Sequence, residues 1–128
     1  MADARPLAGK RILLLEDDAD ARDSMAMLLT VAGADVVSMP TAEAALEAFH
    51  QKEFDAVVTD VAMPGRSGFW LVGQIRQVAT RATVPVLAVT GHPFPREGML
   101  RAGFDDQMLK PVSPTVLYGV LANLMNRS

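Results

Sequence analysis

The chain has 128 residues, half of them apolar and 21% charged, with a net charge of -3 and no cysteine. That length fits one domain with a core of its own. The composition excludes a disordered chain, a disulfide frame and a thiolate metal site. No Lys/Arg cluster is present to neutralise a phosphate backbone, which argues against direct nucleic-acid binding.

Met1 to Gly9 mixes Ala, Asp, Arg, Pro and Gly and reads as a loose lead-in. It lacks the apolar core of a signal peptide, and no apolar run reaches the length of a membrane span. A cytoplasmic protein that does not touch membranes is expected. Ile12-Leu13-Leu14-Leu15 is a short apolar strand ending in Glu16-Asp17-Asp18. Helical spacing follows at Met25, Leu28, Leu29 and Ala32. Asp17 or Asp18 caps that helix and Gly33 ends it. Ala34 to Met39 is a second strand. Thr41 caps a second helix, whose inner face is Ala42, Ala45, Leu46 and Phe49.

Asp55 to Thr59 is the third strand. It delivers Asp60, and Met63-Pro64-Gly65 turns the chain away. Ser67 or Gly68 opens a third helix with Leu71, Val72 and Ile75 inward. Val84 to Thr90 is the fourth strand, with Pro85 tolerable near its start. Pro95 suits the first turn of a short fourth helix ending at Gly103. Gln107-Met108-Leu109 is a brief fifth strand. Ser113 caps the last helix with Pro114 at its first position, and Leu117, Val120, Leu121 and Leu124 share its inner face.

Strand and helix alternate five times, which gives an α/β fold with a parallel sheet covered on both faces. Right-handed crossovers favour a doubly wound, flavodoxin-like sheet in the order 2-1-3-4-5, with five helices. That order brings the C-terminal ends of the first and third strands together, and with them Glu16, Asp17 and Asp60. Three carboxylates at one rim repel unless a cation sits among them. Hard oxygen ligands suit Mg²⁺. Beside such a cation Asp60 could act as a nucleophile and accept a phosphoryl group. Lys110 after the fifth strand would add a positive charge, and Thr90 at the end of the fourth a hydroxyl donor.

Taken together, Glu16-Asp17, Asp60 with Met63-Pro64-Gly65-Arg66-Ser67-Gly68, Thr90-Gly91 and Lys110-Pro111 resemble a response regulator receiver domain, the CheY-like family. The resemblance runs from about Arg11 to Met125 and sets residues 10–126 as the receiver domain, with no output domain. It implies that Asp60 takes phosphate from a phosphohistidine on a sensor histidine kinase or a histidine phosphotransfer protein. It implies Asp17 as a direct Mg²⁺ ligand, Glu16 as one acting mostly through water, and the Ala62 backbone carbonyl as a third. Thr90 resembles the switch hydroxyl and Lys110 the lysine that contacts phosphate. The bond to Pro111 is usually cis in such domains.

One position departs from the family. The aromatic switch residue usually lies three places before the lysine, where this chain has Gln107. The implied activity is that of a two-component or phosphorelay signalling module, not an enzyme beyond self-phosphorylation and slow self-dephosphorylation. Its output would be a face made by the fourth helix, fifth strand and last helix, controlling an unknown downstream protein. A monomer or a weak phosphorylation-dependent dimer fits. A receiver excised from a hybrid sensor histidine kinase is the alternative within the class. Two other classes share the fold signals. A haloacid dehalogenase-type phosphohydrolase finds an echo in Asp18-Ala19-Asp20, but Ala21-Arg22 follows where that family has Gly-Thr. A flavin binder would need a Ser/Thr/Gly loop after the first strand, where Glu16-Asp17-Asp18 would repel the cofactor's phosphate.

Overall fold

A computed structural model describes residues 5–78 and 80–126. Five strands and five helices alternate: β1 (Arg11–Leu15), α1 (Ala19–Val31), β2 (Asp35–Met39), α2 (Ala42–Gln51), β3 (Ala56–Asp60), α3 (Gly68–Ile75), β4 (Val86–Thr90), α4 (Arg96–Ala102), β5 (Asp106–Leu109) and α5 (Pro114–Met125). The strands form one parallel sheet in the order β2-β1-β3-β4-β5, as the alternation of elements led us to expect.

Side-chain alternation along each strand makes two cores. Ile12, Leu14, Ala56, Val58, Leu87 and Val89 face Leu29 of α1 and Leu117, Leu121 and Leu124 of α5. Leu13, Leu15, Val57, Val86 and Ala88 face Phe49 of α2, Leu71, Val72 and Ile75 of α3, and Met99 of α4. Each large aliphatic side chain buried this fully contributes roughly 1.5–3 kcal/mol before chain entropy is set against it.

Local chemistry fixes the helix ends. Asp18, not Asp17, caps α1, accepting a hydrogen bond from Ala21 N at 2.8 Å. Thr41 does the same for α2 through Ala44 N, and Ser67 for α3 through Phe69 N. Ser113 holds the cap position of α5, but its side chain makes no capping bond. Pro114 in the first turn lacks an N–H, so one fewer orphan donor needs an acceptor there. β4 starts at Val86 rather than Val84. Pro85 has no N–H for the ladder, although its carbonyl accepts from Val57 N.

The lead-in is more ordered than the sequence suggests. Its first four residues lie outside the described ones, but Leu7 is fully buried and its N–H donates to Ala32 O at 2.8 Å. The chain passes so close to Gly33, at φ 101°, that a Cβ there would lie 2.8 Å from Ala8 Cα. The glycine therefore serves both the left-handed turn after α1 and this contact. Among the described residues no helix is long and apolar enough to cross a membrane.

Candidate functional site

The sheet register builds the site. Leu15 pairs with Thr59 across β1 and β3, so Glu16, the next residue, lands beside Asp60. Asp60 in turn pairs with Val89, one residue before the end of β4. One carboxylate oxygen from each of Glu16, Asp17 and Asp60 can be chosen so that all three lie within 4.8 Å of one another. Glu16 and Asp60 are 5% and 8% exposed, whereas Asp17 opens to solvent.

Lys110 supplies the positive charge. The peptide bond that follows it, to Pro111, is cis. Its Nζ donates to Glu16 Oε1 at 2.7 Å and to Asp60 Oδ2 at 3.3 Å, bridging the first and third strand ends. The other Asp60 oxygen, Oδ1, accepts from Ala62 N at 3.1 Å. Burial pushes the Glu16 carboxyl above its ordinary value, and the Asp60 charge adds to this against the opposing pull of Lys110. For Lys110 burial works downward, but the hydrogen bond to Glu16 and the charges of Asp60 and Glu16 outweigh it and hold the ammonium above its usual value.

The structure thus brings Glu16, Asp17, Asp60 and Lys110 together, with the Ala62 backbone against Asp60. Thr90 is fully buried at the neighbouring strand end, but its hydroxyl is engaged elsewhere: it donates to His92 O at 3.0 Å and accepts from His92 N at 3.3 Å. Gln107 sits on β5 with its amide on the backbone of Phe94.

Two supports were missed at the sequence level. Arg22 of α1 reaches back to donate to Glu16 O at 3.1 Å, which steadies the acidic turn. Gly68 lets α3 start directly under Asp60, where a Cβ would come within 2.5 Å of Asp60 O. The sequence marked Gly68 only as a possible helix opener and a member of the motif after Asp60, and nothing in it tied Arg22 to the Glu16 carbonyl.

A pair of buried carboxylates with an exposed third, all hard oxygen donors, fits a Mg²⁺ ion that keeps several waters. Lys110 occupies part of the same electrostatic role, so an arriving cation would compete with it for Glu16 and Asp60. Chemically the arrangement offers a buried carboxylate held by a backbone amide, an ammonium already in place beside it, and an opening toward solvent at Asp17.

Known proteins resemble this chain along most of its length. The family described as the response regulator receiver domain matches residues 12–122. A 14.6 kDa protein of Leptolyngbya boryana is 38% identical over 113 residues, covering 87% of this chain and 86% of that one. The response regulator protein FleR of Pseudomonas aeruginosa is 34% identical over 115 residues, covering 88% of this chain but only 24% of FleR. Among solved structures, a response regulator from Chloroflexus aurantiacus superposes with a TM-score of 0.85 at 28% identity, over 92% of this chain and 98% of that one.

Proposed function

Because this chain belongs to the response regulator receiver domain family, the signalling module of two-component systems, we propose that Asp60 is its phosphoacceptor. The observation that supports this most directly is the Asp60 carboxylate itself. It sits buried at a strand end, with one oxygen held by Ala62 N and the other facing Lys110. That fixes the nucleophile in place while leaving the exposed Asp17 side open to a donor.

The donor is a phosphohistidine on a sensor histidine kinase or a histidine phosphotransfer protein. An Asp60 oxygen bonds to phosphorus, the phosphorus–nitrogen bond breaks, and the released imidazole takes up a proton. Lys110 contacts the phosphoryl oxygens and offsets the charge that builds on them. Asp17, Glu16, Asp60 and the Ala62 carbonyl would hold Mg²⁺, which supplies charge neutralisation and alignment of the phosphoryl group. Arg22 keeps the Glu16-Asp17 turn in register through the Glu16 carbonyl.

Once Asp60 is phosphorylated, the face made by α4, β5 and α5 changes its population of conformers and engages a partner protein. Leu100, Leu109 and Val116, one from each of these elements, are exposed apolar side chains that such a partner would cover. The haloacid dehalogenase reading loses ground because Asp18 and Asp20, the pair it needs, do not enter the site. Asp18 caps α1 and Asp20 is a solvated first-turn charge.

The test is incubation with Mg²⁺ and acetyl phosphate, read by intact mass. The expected result is a gain of about 80 Da, one phosphoryl group, that Asp60→Asn abolishes. No gain in the wild-type chain, or an equal gain in Asp60→Asn, sinks the assignment.

A further inference from the structure

Two features of the chain stand outside the phosphoacceptor chemistry: the segment His92-Pro93-Phe94-Pro95 after β4, and Gln107 on β5. Proline has no N–H, so His92 and Phe94 carry the only backbone donors of that segment. Side chains take both. His92 N donates to Thr90 Oγ1 at 3.3 Å, and Phe94 N donates to Gln107 Oε1 at 3.2 Å. The carbonyls of the same two residues are bonded as well. Thr90 Oγ1 donates to His92 O at 3.0 Å, and Gln107 Nε2 donates to Phe94 O at 2.6 Å. Each side chain closes a two-bond clip on one loop residue, the first from β4 and the second from β5. Held this way, the Phe94 ring meets Phe69 of α3 edge-on, with centroids 5.4 Å apart.

We infer that Gln107 is a positioning residue of the signalling switch: it clips Phe94 to β5, so that when phosphorylation at Asp60 opens the Thr90 clip on His92, the displaced loop pulls on β5 through Gln107. The inference rests on the phosphoacceptor reading above. Its physical basis is a count of protons. A threonine hydroxyl has one proton to donate. Without phosphate that proton goes to His92 O. A phosphoryl group on Asp60, which pairs with the residue before Thr90, places charged acceptor oxygens at the same strand end. A charge-assisted bond outcompetes a neutral one. The proton given to phosphate is withdrawn from His92 O.

The segment is built to pass this on. A Cβ on Gly91 would meet nothing within 4 Å, so the chain has room to swing there. Pro93 stiffens the link from His92 to Phe94, so motion at one is carried to the other. The two bonds at Gln107 are directional, and they couple the loop to β5 through its amide where a ring at this position would couple by volume.

The experiment is amide exchange and chemical shift by NMR on the full chain as wild type, Gln107→Ala and Gln107→Glu. Each is measured in Mg²⁺ with and without acetyl phosphate, with intact mass read in parallel. Without the phosphodonor, the Phe94 amide should exchange about tenfold faster in Gln107→Ala, with the His92 amide unchanged. Gln107→Glu keeps an acceptor for Phe94 N–H but has no donor for Phe94 O. Its Phe94 amide should stay protected while its β5 response weakens, and it decides the matter if the alanine variant does not fold.

With acetyl phosphate, the wild type should show a shifted His92 carbonyl resonance, since that carbonyl loses the Thr90 proton, and shifted Met108 and Leu109 amides. In Gln107→Ala the His92 change should persist and the β5 shifts should vanish. Equal Phe94 exchange in wild type and Gln107→Ala without phosphodonor overturns the clip. Undiminished β5 shifts in the phosphorylated variants overturn the coupling. Absence of any mass gain at Asp60 overturns the phosphoacceptor reading and the coupling with it, and the arm without phosphodonor still decides whether the clip exists.

Discussion

Glu16 shows best how one residue serves both fold and site. Its carboxyl is buried and held above the ordinary carboxylate value, chiefly by desolvation. A folded-state pKa above the unfolded one means the fold binds the proton more tightly. Stability is therefore greatest with the carboxyl protonated, and this contribution is lost as pH rises through the ordinary range to the raised value. Glu16→Gln removes that loss, so without Mg²⁺ the variant should lose less stability than the wild type between about pH 4 and pH 7. Urea denaturation across that range checks it, and parallel curves would count against the assignment. Lys110 acts on the alkaline side. Its raised value makes its contribution complete below the usual lysine range and lost as pH rises past the folded value. Asp17 tests the metal. Mg²⁺ should raise the melting temperature of the wild type, by the equivalent of about 2.7 kcal/mol at a hundredfold excess over Kd, and Asp17→Ala should abolish the rise. A shift that survives in Asp17→Ala would place the ion elsewhere. The carboxylates and Lys110 were legible in the sequence because their strand-end positions follow from the order of elements. The hydrogen bond that ties Thr90 to His92 was not, because a rotatable hydroxyl takes its partner from the local backbone.

At the scale of elements, α3 carries the tightest constraint. Ser67 caps it, and Gly68 brings its first turn against the end of β3. Alanine at Gly68 would put a Cβ 2.5 Å from Asp60 O and 2.8 Å from Thr59 Oγ1, both fixed by the strand. Gly68→Ala should cost about 1–3 kcal/mol and slow phosphorylation at Asp60, whereas Gly73→Ala, whose Cβ meets nothing within 4 Å, should do neither. Chemical denaturation with a timed mass assay separates the two. The sequence offered Ser67 and Gly68 as equal candidates to open the helix. It lacked the distance to β3 that gives the cap to Ser67 and the close approach to Gly68. Apolar runs and caps placed every strand and helix to within two residues, since the central strands β1, β3 and β4 are buried on both faces and read as nearly continuous apolar runs.

For the whole molecule, Arg76 closes the end of the sheet opposite the site. Its guanidinium donates to the carbonyls of Ala82, Val84 and Gly103 and to Asp105 Oδ2, joining the end of α3, the start of β4 and the turn before β5. Arg76→Met should cost about 2–4 kcal/mol, because several half-buried carbonyls lose their donor at once, while leaving the mass gain at Asp60 intact in the folded fraction. A thermal melt paired with the mass assay checks both halves of that statement. Nothing local marks Arg76 in the sequence, since its partners lie 6 to 29 residues away. Leu7 is a similar case: an apolar residue in a Pro/Gly-rich stretch reads as a loose end until α1 and Gly33 give it a slot. The sequence by itself determined the class of fold, the strand order and the four acidic and basic groups at the rim, because periodicity and chirality leave few topologies and topology alone brings strand ends together. Only the tertiary structure decided which donors and acceptors meet — Lys110 on Glu16, Thr90 on His92, Gln107 on Phe94, Arg76 on the far carbonyls — because hydrogen bonds depend on distances of a few tenths of an ångström that no spacing along a chain specifies.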